Sequence, residues 1–194
     1  SSSSEIPKKR GRADLIILAL ASLLGRAGER TALLSSRIKP ATGRAALIRM
    51  GSALESRQTD LQTLPRFEYL PRYAHVVILS DFFSRASKIK QLVDLFASIG
   101  VKGHLLQVND PAEETLPFSG RVEFEGFEGE EAVLTPRVED IRQKYIKKLA
   151  NHRLNVATIC RRVGWTFDTY RTDQSPEKAL IGLYCALGEI EKSR

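Results

Sequence analysis

The side chains of this sequence best suited to chemistry are oxygen donors placed at the ends of apolar runs. Residues 76–79, VVIL, form an unbroken aliphatic run that stops at Ser80 and Asp81. No polar residue alternates with the apolar ones, so the run predicts a strand buried on both faces. A carboxylate at the carboxyl end of such a strand lies where open α/β sheets bind ligands. There it can help hold a hard cation such as Mg²⁺, which takes oxygen ligands and keeps several waters. Equally, it can cap the helix that follows. A second pair, Asp110 and Glu113, brackets Pro111 after the run 102–109 and belongs at the same sheet edge. Its simpler role is to cap a turn at the proline.

No constellation supports ordinary catalysis. His75, His104 and His152 are far apart in sequence, and none sits in a metal or triad motif. His104 falls inside a predicted strand and is expected to be a satisfied core residue. The dinucleotide fingerprint G-x-G-x-x-G, the Walker A loop and the G-x-S-x-G elbow are all absent. Cys160 and Cys185 lack metal-ligand spacing, and two half-buried thiols in such a chain point to a reducing, cytoplasmic setting.

The elements that must position these groups follow from periodicity. Residues 12–26 (RADLIILALASLLGR) predict a helix apolar around most of its circumference, stopped near Gly28 and packed on the sheet. Residues 31–35 predict a short buried strand, 39–43 a loop, and 44–56 a helix with Ala45, Leu47, Ile48 and Leu54 for burial. The strand ending at Asp81 leads into a helix over 87–99, whose Ile89, Leu92, Val93, Phe96 and Ile99 share one face. Gly100 ends it, and 102–109 is the next strand. Three strand-then-helix units imply a parallel sheet with right-handed crossovers. Residues 122–124 and 131–134 read as a small β-hairpin. A long basic helix over 137–163 follows, with Val138, Ile141, Tyr145, Leu149, Leu154 and Ile159 on its apolar side. A strand over 165–172 and a last helix opening at Pro176, capped by Asp173 or Ser175, complete the chain.

At 194 residues, with no internal repeat or long linker, the chain is expected to form a single domain. Its net charge of +7 permits an acidic partner and is unevenly spread. From Arg137 to Arg162 there are eight Lys or Arg against Glu139 and Asp140; from Ala112 to Glu131, seven Glu face Arg121 alone. Two solvated surfaces of opposite sign are the simple explanation, and docking of the acidic excursion on the basic helix is the more specific one. The apolar run 15–24 is far shorter than the roughly 20 residues a membrane span requires, so a core helix is expected.

Four stretches together resemble a known family: RADLIILALASLLGRAGERTALL at 12–34, VVILSDF at 76–82, LLQVNDPAEETLPFSG at 105–120 and YRTDQSPEKALIGLY at 170–184. The chain resembles the von Willebrand factor A-like part of the bacterial domain-of-unknown-function 58 proteins. That resemblance implies a Rossmann-like, mainly parallel sheet flanked by helices, with the hairpin as an excursion. It also implies that a first strand and a D-x-S-x-S loop are missing ahead of residue 12, so the chain is expected to be a piece of a longer protein. An uncovered sheet edge or apolar surface, and with it self-association, would follow.

In von Willebrand A domains a metal-ion-dependent adhesion site joins that loop, a Thr from a later loop and an Asp after a central strand. Asp81 matches the Asp, Thr42 is the nearest match to the Thr, and Ser80 is a neighbouring hydroxyl. Asp110 and Glu113 are candidate binding residues beside them. A Mg²⁺ site is thus implied for the full-length protein, with weak or no metal binding by this chain. The resemblance further implies a non-enzymatic protein-interaction module acting with a MoxR-type AAA+ ATPase in complex assembly or chaperone-like work. Two alternatives stay open: nucleic-acid binding through the basic helix 137–162, and a metal-dependent hydrolase using Asp81, Asp110 and Glu113.

Overall fold

A computed structural model describes residues 5–34, 36, 39–56, 64–115, 123–124, 133–134 and 138–189. The chain divides into two compact units, one of residues 1–69 with 174–194 and the other of residues 70–173.

The first unit contains α1 (Glu5–Arg26), α2 (Gly43–Ser56) and, from the far end of the chain, α6 (Pro176–Glu189). Helix α1 packs against both α2 and α6, so its neighbours within this unit are helices, not the sheet expected from sequence. Ile16, Leu20 and Ala21 of α1, Ala46, Met50 and Leu54 of α2, and Leu183 of α6 are buried. The Arg10 guanidinium donates to the Leu54 carbonyl at 2.9 Å, joining α1 to the end of α2. Three sequence expectations fail here: Leu15 is 50% exposed, Ile48 is 59% exposed, and Ala45 is exposed as well. All three lie off the narrow stripe that a helix presents to its neighbours. The cap of α6 is Ser175, whose Oγ accepts the Glu177 N–H, while Asp173 is engaged elsewhere.

The strand expected over 31–35 does not form over its described residues, 31–34. Thr31 instead makes one isolated antiparallel bridge to Ala41, with Arg30 donating to the Pro40 carbonyl. So short an apolar run satisfies its backbone inside its own loop when no strand lies beside it.

The second unit is a mixed α/β structure. Strands β1 (His75–Ser80), β2 (Lys102–Asn109) and β5 (Thr166–Arg171) form a parallel sheet in the order β1-β2-β5. Helix α3 (Ala86–Ser98) links the first pair. The second crossover carries α4 (Pro111–Thr115), a hairpin of β3 (Glu123–Phe124) and β4 (Val133–Leu134), and α5 (Val138–Arg162). The hairpin pairs Glu123 with Leu134 and Phe124 with Val133, as the alternation in sequence predicts. The remainder of the acidic excursion lies outside the described residues.

Both crossovers step in one direction along the sheet, and right-handed connections then place α3 and α5 on one face, where they pack together. This is the Rossmann-like arrangement. Each of these helices ends in a Schellman turn on a glycine with positive φ, Gly100 at 79° and Gly164 at 72°. The N–H of Val101 reaches the Phe96 carbonyl and that of Trp165 the Cys160 carbonyl, and the chain passes directly into β2 and β5. The predicted α3 face is buried through Ile89, Leu92, Val93 and Phe96. On α5 the buried residues are Leu149, Val156 and Cys160, whereas Leu154 is 64% exposed, against expectation. The thiols also differ from expectation: Cys160 is buried and Cys185 exposed.

Candidate functional site

Three parallel strands end at one edge, where a cluster of polar side chains of the second unit gathers. Register fixes the arrangement: Ser80 pairs with Gln107, and Asn109 with Arg171. Asp81 therefore follows β1 at the level of the last turn of β2, and Asp110 follows β2 directly.

The chain turns sharply after β1. Asp81 Oδ1 accepts the Phe83 N–H at 3.2 Å, and Ser80 Oγ accepts the Phe82 N–H at 3.2 Å. Between them Phe82 has φ 52°, in the left-handed region, with its ring fully buried. A bulky residue there costs on the order of 1–3 kcal/mol, so its surroundings must hold it. Two side chains do so. Gln107 Nε2 donates to the Asp81 carbonyl and His152 Nε2 to the Phe82 carbonyl, each at 2.6 Å. The Phe82 ring meets Phe167 of β5 edge-on.

From Gln107 a polar chain crosses the edge. Its Oε1 accepts from Arg153 Nε at 2.8 Å, and Arg153 pairs with Glu114 of α4. Glu114 also lies 3.6 Å from Arg171, which holds Asp173 in turn. That bond to Asp173 raises the Arg171 pKa. Tyr145 on α5 also has a raised pKa, chiefly through burial and then through Glu113.

The expected site residues are thus placed as follows. Asp81 and Ser80 share one turn and form part of its internal bonding. Asp110 and Glu113 act as a capping pair: Asp110 Oδ1 accepts the Ala112 N–H at 2.9 Å, and Glu113 Oε2 accepts the Asp110 N–H at 3.1 Å. Asp110 Oδ2 further accepts from Thr172 Oγ1 at 3.3 Å. Thr42 is exposed immediately before α2, in the other unit.

For a cation, the Ser80–Asp81 turn offers one carboxylate and one hydroxyl, a partial oxygen set that waters or further ligands would have to complete. Among the described residues, no group of three or more His, Cys, Asp or Glu is placed to hold a metal ion. Sequence reasoning missed Gln107, Glu114, His152 and Arg153. The signal for the last two was present, since both lie one turn beyond Leu149 on the inward stripe of α5.

The model of the family described as Protein of unknown function DUF58 matches residues 1–155, four-fifths of the chain. The chain belongs to that family. No curated protein and no solved structure matches this DUF58 chain. No helix among its described residues is long and apolar enough to cross a membrane.

His104 lies toward the opposite, amino end of the sheet in the DUF58 chain. It is fully buried, bonded through Nδ1 to Thr166 Oγ1 at 2.8 Å, with its ring stacked on His75. Its Nε2 has no hydrogen-bond partner, so the expected satisfied core histidine is satisfied on one side only. Burial, and then the neighbouring His75, lower its pKa to about 4.

Proposed function

We propose that this chain is part of a non-enzymatic protein-interaction module, working with a MoxR-type AAA+ ATPase in complex assembly, and that the carboxyl edge of its sheet is the contact surface. The observation that carries this reading is the Ser80–Phe83 turn. It fixes a carboxylate at a strand end by bonds from two other elements, and preorganised geometry of this kind lowers the ordering cost of binding. Membership of the DUF58 family supports it as well. Asp81 Oδ1 is committed to the turn, so its second oxygen is the one this reading assigns to the contact. With Ser80 and oxygens from the rest of the full-length protein, it would hold Mg²⁺, whose open position a partner carboxylate can fill.

The test is sedimentation of the full-length protein with its cognate ATPase, in Mg²⁺ and after chelation. A complex that disappears on chelation and returns with Mg²⁺ is expected; absence of any complex would overturn the proposal. A second reading, nucleic-acid binding along α5, draws on the exposed Arg142, Lys144, Lys147 and Lys148. It predicts duplex binding that weakens steeply as salt rises.

A further inference from the structure

We propose that His152 on α5 and Gln107 on β2 are positioning residues that jointly lock the Asp81–Phe82 turn and thereby aim the Asp81 carboxylate. The two bonds fall on consecutive carbonyls, those of Asp81 and Phe82. One carbonyl lies in the peptide plane before Phe82 and the other in the plane after it. Fixing both planes fixes the φ and ψ of Phe82 between them, which is what a residue at φ 52° requires. With either bond lost, one plane would be held only by its amide's own bond inside the turn, too little to keep Phe82 in the left-handed region, and Asp81 would shift as the turn relaxed.

The donors are themselves held. A carbonyl can only accept, so His152 presents Nε2–H to Phe82. Gln107 is oriented by Arg153, whose Nε–H occupies its Oε1 and leaves its Nε2 to donate. Arg153 is anchored in turn by Glu114 at the root of the acidic segment. Helix α5 therefore controls the turn twice, directly through His152 and indirectly through Arg153.

The consequence for partner capture rests on the function proposed above, but the lock is measurable without a partner. The amides of Phe82 and Phe83 are bonded inside the turn, so their hydrogen exchange reports its integrity. In His152→Ala and in Gln107→Ala, exchange at these two amides should quicken about tenfold, the equivalent of losing one structural hydrogen bond. The amides of Leu105 and Leu106 in β2 should keep their protection, and His152→Gln, which retains a donor, should restore the wild-type rate. Unchanged exchange at Phe82 and Phe83 in both variants would overturn the proposal. So would equal loss of protection throughout β2, which would make both residues general supports of the fold. A full-length protein that binds no ATPase would end the functional proposal and leave the exchange result to decide the lock on its own.

Discussion

A carboxylate that both shapes a turn and meets a partner must divide its two oxygens between those tasks. Asp81 Oδ1 is already engaged by the Phe83 N–H, which leaves Oδ2 for the partner contact proposed above. Removing the whole group therefore loosens the turn, and Asp81→Asn, which keeps an acceptor, is the cleaner probe of charge. Two other positions allow sharper forecasts. A Cβ added at Gly103 would lie 2.0 Å from the Trp165 ring, which is buried against Phe96 and bonded to the Val101 carbonyl. Gly103→Ala should cost at least about 3 kcal/mol in denaturant unfolding, because neither backbone nor indole can yield. His104 gives a pH dependence. Its folded pKa of about 4 lies below the ordinary histidine value of 6.5, so the unfolded state binds more protons between these values. Stability should be complete above pH 6.5 and fall by up to about 3 kcal/mol as pH drops toward 4. Urea titrations across that range should show the loss, and His104→Gln should flatten it. Asp81 and the Asp110–Glu113 pair were legible in sequence because a strand end announces itself. Of the two side chains that hold Asp81's turn, His152 carried a signal in its place one turn beyond Leu149, whereas Gln107 acquires its role only when β1, β2 and α5 are brought together.

At the scale of elements, periodicity and stop signals carried most of the information. Helix α3 and strands β1, β2 and β5 could be read directly: α3 from the apolar stripe on one face, β1 from its unbroken aliphatic run, and β2 and β5 from short apolar or alternating runs bounded by glycine or polar residues. Its C-terminal glycines do more than stop helices. Gly100 and Gly164 complete turns that deliver the chain into β2 and β5 at the correct angle. Gly164→Ala should lower stability by about 1–2 kcal/mol, measured by thermal or chemical unfolding, because the cost comes from its positive φ; an added Cβ would meet only the end of Lys102 at 3.5 Å. The segment after Thr31 was misread for the opposite reason. Its residues favour a strand, but strands exist only in pairs, and its bridge to Ala41 is all that the local chain supplies. Leu154 shows the same limit on α5, where the buried stripe runs through Val156 and Cys160 instead.

For the whole molecule, the parallel order β1-β2-β5 brings three strand ends and their polar side chains to one edge, the surface on which the proposed function rests. The composition and net charge of +7 say little about that edge, where acidic and basic groups are interlocked by Gln107, Arg153, Glu114 and Arg171. The measurement that bears most directly on its proposed role is titration calorimetry of the full-length protein with the MoxR-type ATPase proposed as its partner. Wild type and Asp81→Asn should be compared, each with Mg²⁺ and with chelator. Binding by the wild type in Mg²⁺ only, and at least about 10-fold weaker binding by Asp81→Asn, a loss of about 1.4 kcal/mol, is the predicted result. Equal affinity for both proteins, unchanged by chelation, would contradict it and leave Asp81 as no more than the cap of its own turn.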